Sequence, residues 1–99
     1  MIEILVGLNI TDKTGYTKYR EGMTPLLESV GGGFRYDFLI SEVLKSETEN
    51  KINRIFAIYF PSEEIMNSFF SDKRYLSFKE EFFVNSVEST TIISTYNRS

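Results

Sequence analysis

Residues 53–70, NRIFAIYFPSEEIMNSFF, decide the fold of this chain. Ile55 to Phe60 is an unbroken apolar run rich in β-branched and aromatic side chains. It leaves neither parity for water, which suits a strand covered on both faces. Pro61 ends the strand because it has no N–H to give the ladder. Ser62 can cap a new helix, and Glu63 and Glu64 sit where the helix dipole favours negative charge. Ile65, Met66, Phe69 and Phe70 fall at helical spacing and fold that helix back onto the strand. The product is one strand–helix unit of a packed sheet, and none of its residues points to a particular chemistry.

On the N-terminal side, Ile2 to Ile10 reads as a strand. Ile2, Ile4, Val6, Leu8 and Ile10 share one face, and Glu3, Leu5, Gly7 and Asn9 share a mixed one. Gly7 in mid-strand marks a bulge or the close approach of another group. Asp12 is a helix cap, followed by a stripe of Tyr16, Tyr19, Met23, Leu26, Leu27 and Val30. Pro25 interrupts that stripe at a cost of about 3 kcal/mol, yet the stripe continues in phase, which predicts a kink rather than an end. Gly31 to Gly33 close the helix, one of them as a left-handed cap. The triple glycine follows a helix and lacks a Gly-Lys-Ser/Thr, so it is not a phosphate loop.

Phe34 to Leu44 is predicted as a long second strand. Phe34, Tyr36, Phe38, Ile40, Glu42 and Leu44 point one way; Arg35, Asp37, Leu39, Ser41 and Val43 point the other. Ser46 to Asn53 is polar and turn-like, closing a hairpin onto the strand quoted above. Beyond Ser71-Asp72, Tyr75, Phe78 and Phe82 predict a helical segment from about Arg74 to Phe83. Thr90 to Tyr96 is the last strand, with residues 97–99 expected to fray.

The order β-α-β-β-α-β is the ferredoxin-like split βαβ pattern of an α+β fold, an antiparallel sheet with both helices on one face. One domain over residues 1–99 is expected. The other sheet face would hold Leu5, Leu39, Val43 and one parity of the third and fourth strands, all needing cover. A second copy of the chain, sheet against sheet, would supply it, so a homodimer is expected.

Composition excludes more than it identifies. With no Cys and no His, disulfides, thiol catalysis and metal sites built on thiolate or imidazole are ruled out. The acidic residues have no spacing that builds a hard-cation cage, so neither metal nor cofactor is expected. The net charge of −3 with scattered Lys and Arg leaves no footprint for nucleic acid or an anionic membrane. MIEILVGLNI lacks a basic leader and a cleavage site, and no apolar run approaches the roughly 20 residues of a membrane helix. A soluble cytoplasmic protein is the expectation.

Two longer segments, YTKYREGMTPLLESVGGGFRYDFLISEVL and INRIFAIYFPSEEIMNSFFSDKRYLSFKEEFF, carry a family resemblance. A Tyr-x-x-Tyr helix runs through Pro to a Gly-rich end, and a strand closes in Phe-Pro-Ser. Paired aromatics follow, then Ser-x-x-x-Tyr from Ser71 to Tyr75. In these features the chain resembles the domain-of-unknown-function branch of the dimeric α/β-barrel superfamily. The resemblance implies a ferredoxin-like fold, a dimer and a cleft. Other branches include cofactor-less monooxygenases, chlorite-dismutase-like haem proteins and lactone isomerases, several of which depend on a His that is absent here.

Six residues are candidates for a small-molecule site. Tyr36 and Glu42, on one parity of the predicted second strand, would face Tyr59 or Arg54 across the hairpin. Glu42 in aromatic surroundings would gain a raised pKa suited to acid–base work, whereas pairing with Arg54 would make it structural. Arg20 offers bidentate donors to an anion, with Tyr19 beside it on the first helix as an amphipathic pocket wall, and Asn9 a donor from the mixed sheet face. The tyrosines could equally be core rings with hydroxyls at the rim, and Arg20 a solvated surface residue. The functional expectation is a homodimer that binds a small molecule in a cleft without turnover. The alternative is a cofactor-less oxygenase or isomerase acting on a small aromatic or enolic substrate.

Overall fold

The chain runs β1 (Ile2–Ile10), α1 (Lys13–Ser29), β2 (Gly33–Leu39), β3 (Arg54–Phe60), α2 (Glu63–Ser71), α3 (Lys73–Phe78), a π-helical turn (Lys79–Phe83) and β4 (Val87–Asn97) in a computed structural model that describes residues 1–99. The four strands form one antiparallel sheet in the order β2-β3-β1-β4. This is the ferredoxin-like β-α-β-β-α-β fold, with an added helical segment before the last strand. The parity read for β1 holds. Ile2, Ile4, Val6, Leu8 and Ile10 are all buried, in one cluster with Tyr16, Tyr19, Met23 and Leu27 of α1, Phe56, Ile58 and Phe60 of β3, Phe69 of α2 and Tyr75 of α3.

Local signals set the helix ends. The Asp12 carboxylate accepts from the Gly15 N–H, and the Ser62 hydroxyl accepts from the Ile65 N–H, each satisfying a donor that the first turn leaves free. Helix α1 runs through Pro25 without ending, and Leu27 just beyond it is fully buried, so core packing outweighs the lost backbone bond. Gly31, at φ +84°, is the left-handed cap.

Gly22 lets α1 and α3 approach closely, since a Cβ there would overlap the Phe78 ring. Gly22→Ala should therefore lower stability by about 1–2 kcal/mol in urea unfolding. Overpacking of about 1–3 kcal/mol outweighs the roughly 1 kcal/mol that Ala gains in helix propensity. A stabilised variant would show that the ring moves aside freely.

Three expectations are corrected. First, the second strand stops at Leu39, well short of Leu44. The partner strand β3 has only seven residues, and Leu39 is already opposite its first, Arg54. The Ile40 N–H still bonds the Asn53 carbonyl, and residues 41–52 between them have no strand pairing. The expected hairpin forms, but its loop is longer than Ser46 to Asn53: residues 40–53 run as a strap across the helix-free side of the sheet. Asn53 fastens it: its backbone N–H donates to the Leu8 carbonyl, and its side chain accepts from the Ile10 N–H and donates to the Ile10 carbonyl. Ile52 then lies over Gly7, where a Cβ would come within 2.9 Å of it, so close approach explains the mid-strand glycine.

Second, β2 carries an irregularity at Arg35. Phe34 is opposite Ile58, but Tyr36 is opposite Ala57, so the residues after the bulge change faces. Phe34 and Asp37 lie on the helix side; Arg35, Tyr36 and Phe38 lie on the other. Third, the C-terminus is anchored rather than frayed. Strand β4 extends to Asn97, the Arg98 N–H donates to the Met1 carbonyl, and the terminal amine donates to the Arg98 carbonyl.

Candidate functional site

Helix-side residues of the sheet, with α1, α3 and the π-helical turn, line a partly open cavity of about 350 Å³. Its walls are mainly apolar, among them Ile4, Val6, Leu8, Met23, Phe56 and Ile58, with Lys79 the one charged residue in the lining. Its polar feature is a pair of tyrosines. The hydroxyls of Tyr19 and Tyr75 are 2.9 Å apart and buried, and both rings line the cavity together with Tyr16. Burial pushes the pKa of all three phenols up. At neutral pH they are protonated, so they can donate or accept a hydrogen bond but do not serve as bases. The spacing of α1 puts Tyr16 and Tyr19 on the sheet-facing stripe, and Asp72, whose carboxylate accepts from the Arg74 N–H, starts the short α3 that delivers Tyr75.

Outside the Tyr16 ring lies a charge cluster. The Asp37 carboxylate accepts from Arg54 at 2.7 and 2.8 Å and from Arg20 at 2.8 Å, while Arg20 also donates to the Tyr16 hydroxyl at 2.8 Å. Burial opposes the Asp37 charge, but the two guanidinium groups more than offset it and hold its pKa below the usual range. The hydrogen bonds to Asp37 raise the pKa of Arg54 further. Arg20 is 3.7 Å from the centre of the Phe34 ring, so it is a stacked, held side chain rather than a freely solvated one.

A second cluster lies on the helix-free face. Glu3 is fully buried and takes two hydrogen bonds of 2.6 Å from Arg35, one from the Tyr96 hydroxyl and an ion pair at 3.3 Å from Arg98. The Arg35 hydrogen bonds lead, burial opposes them, and Tyr96 and Arg98 add to them; the Glu3 carboxyl is held at a pKa of about 2.

The six residues named from sequence therefore do not form one site. Arg20 and Arg54 meet on the helix side around Asp37. Tyr36 is on the opposite face, half exposed and stacked on Phe38 at 5.7 Å. Tyr59 shares that face, its ring 5.5 Å from the Arg98 guanidinium. Asn9 donates to Glu88 at 3.3 Å and accepts from Asn53 at 3.4 Å, within the anchorage of the strap. Glu42 lies exposed in the strap, so the Tyr36–Glu42 pair expected on one strand is not formed. Sequence alone names Tyr19 as a candidate pocket wall beside Arg20, with Tyr36 and Tyr59, and does not single out Tyr75 or Glu3. Tyr75 reads as part of an ordinary core stripe, and Glu3 as one polar residue on a mixed face.

A family model described as a domain of unknown function, DUF1330, matches residues 4–96. The chain belongs to the DUF1330 family. No curated protein matches this DUF1330 chain. Among solved structures, a Rhodopseudomonas palustris protein of unknown function is similar at a TM-score of 0.83 and 16% identity, over 99% of this chain and 82% of its own. A Dabb family protein with a ferredoxin-like fold from Mesorhizobium loti is similar at 0.67 and 13%, over 99% and 96%. An uncharacterized NIPSNAP domain protein from Burkholderia xenovorans is similar at 0.67 and 10%, over 100% and 95%. These likenesses bear out the fold, and at such identities they say nothing about activity.

Proposed function

We propose that this DUF1330 chain binds a small, mostly apolar molecule in the cavity between sheet and helices, with one polar group of the ligand on the Tyr19–Tyr75 hydroxyls. The observation that carries the proposal is that pair: two buried hydroxyls satisfy each other at 2.9 Å inside an apolar cavity of about 350 Å³, a volume within the roughly 300–1,000 Å³ of ligand pockets. Each hydroxyl keeps capacity for a further hydrogen bond. Binding without turnover is favoured over the oxygenase or isomerase alternative because the lining holds no carboxylate and its phenols stay protonated. An acid–base cycle would have to run through Lys79.

The test is a titration with 2-naphthol and with naphthalene, followed by NMR. Naphthol should bind at the residues of the cavity about five- to tenfold more tightly, the worth of one neutral hydrogen bond. Tyr19→Phe should remove most of that preference, and Val6→Phe, which fills the cavity, should abolish both. If neither compound perturbs the cavity at millimolar concentration, the proposal fails.

The same reading includes a homodimer through the helix-free face. Tyr36 and Phe38 are each 50% exposed, and Ile93 is 45% exposed. Between strap and sheet is an open hollow of about 610 Å³ lined in part by Val43, Leu44, Ile52, Ile55 and Ile93. The exposed rings and the apolar part of this hollow fit a second copy better than water.

A further inference from the structure

A cleft separate from the inner cavity opens where α1 begins, against the adjoining ends of β2 and β3. Its volume is about 440 Å³, and Lys13, Thr17, Leu39, Ile40, Ser41 and Arg54 are among its walls. The two charged side chains in its lining, Lys13 and Arg54, are both cations. Arg54 and Arg20 share the single carboxylate of Asp37, and Lys13 adds a third cation, in a chain whose net charge is −3. Glu21, which lines the adjoining groove with Arg20 and Arg54, and Asp12, the cap residue next to Lys13, balance this charge nearby but neither lines the cleft. The Asp37 hydrogen bonds use Nε and Nη2 of Arg54, so Nη1 is left for another acceptor, already oriented. A guanidinium held in this way loses little rotamer freedom when it takes an anion. Beside these cations Leu39 is 78% exposed, an apolar wall without a partner.

We propose that this cleft binds a small organic carboxylate, its oxygens on Arg54 Nη1 and Lys13 and its apolar body against Leu39 and Ile40. The Ser41 hydroxyl is a further donor to the same group. Neutral polar ligands gain little here, because the Asn53 amide is committed to the Ile10 backbone and the Thr17 hydroxyl donates to the Lys13 carbonyl.

The test uses 15N-labelled full-length protein at low salt with three probes: benzoate, benzamide and inorganic phosphate. Benzoate should move the amides of Lys13, Thr17, Ser41 and Arg54 in a saturable way, binding at least fivefold more tightly than either of the others. Lys13→Gln should weaken benzoate about tenfold and Lys13→Arg should restore it; Lys13 is exposed, so both variants should fold. The response should persist when Val6→Phe fills the inner cavity, which keeps this proposal independent of the first. Benzamide equal to benzoate would reduce the cleft to an apolar surface, and phosphate equal to benzoate would make it a general anion site. Either result overturns the proposal, as would benzoate binding that is indifferent to Lys13 or lost on filling the cavity.

Discussion

Replacing Arg35 with methionine is expected to destabilise the protein at neutral pH more than any other single change in this cluster, because it leaves the buried Glu3 carboxylate without its main partner. The carboxylate of Glu3 is fully buried on the helix-free face, and Arg35 gives it both of its shortest guanidinium bonds. Without them it retains Tyr96 and a longer contact to Arg98. Glu3→Gln should cost less, about 1–2 kcal/mol, because the arginines it releases are each about a third exposed and can turn to water. The double variant should cost less than the two single ones together, since the second change removes the charge that the first left unpaired. The acid limb follows from the same carboxyl. Its folded pKa of about 2 lies below the usual 4.5, so its contribution is complete above 4.5 and is lost as pH falls through 2. In Arg35→Met that loss should be smaller and complete at a higher pH, because the upper end of the window belongs to the unfolded carboxyl and does not move. Urea midpoints measured between pH 7 and pH 2.5 check both statements, and an acid limb identical to the parent's would show that Arg35 does not hold Glu3.

Glu3 shows what kind of feature a sequence pattern leaves hidden. Its place on a mixed strand face is readable from parity alone, but its partners are not. Arg35 reaches it because β2 is irregular between Phe34 and Tyr36, and Arg98 belongs to a terminus whose composition suggests fraying. Both depend on tertiary pairing. The same bulge separates Arg35 from Asp37 and turns Asp37 to the helix side, where Arg20 and Arg54 find it. Strict alternation along residues 34–44 had put Asp37 beside Arg35 and Tyr36 level with Glu42. The overlong second strand had a visible warning: β3 ends at Pro61 and its apolar run begins only at Ile55, so it is too short to pair as far as Leu44.

Other features were legible because one local force dominates each. Period 2 in β1, the stripes of α1 and α2, the caps at Asp12 and Ser62 and the glycine at the end of α1 all appear as read. Helix α1 passing through Pro25 also follows from the stripe, since Leu27 gains more from burial than the missing bond costs. The cavity was harder to see. Tyr19 and Tyr75 belong to separate stripes, and only the packing of α1 against α3 brings their hydroxyls together.

Phe38→Glu is expected to convert a dimer into a monomer while leaving the fold of each chain intact. Phe38 stacks on Tyr36 at 5.7 Å, and both remain half exposed on the helix-free face. A substitution there therefore removes little that the single chain buries. In the proposed dimer the two rings would be covered and desolvated, where loss of an aromatic anchor costs roughly 2–4 kcal/mol, about thirty- to a thousandfold in dissociation constant. The charge adds to this loss, because the new carboxylate would be desolvated at the interface without a partner. The 11.5 kDa chain should sediment at twice its mass at micromolar concentration, and the variant at once its mass with an unchanged circular dichroism spectrum. A parent chain that is already monomeric would refute the dimer. A variant that stays dimeric would move the interface off Phe38 and leave the exposed rings of β2 without an occupant.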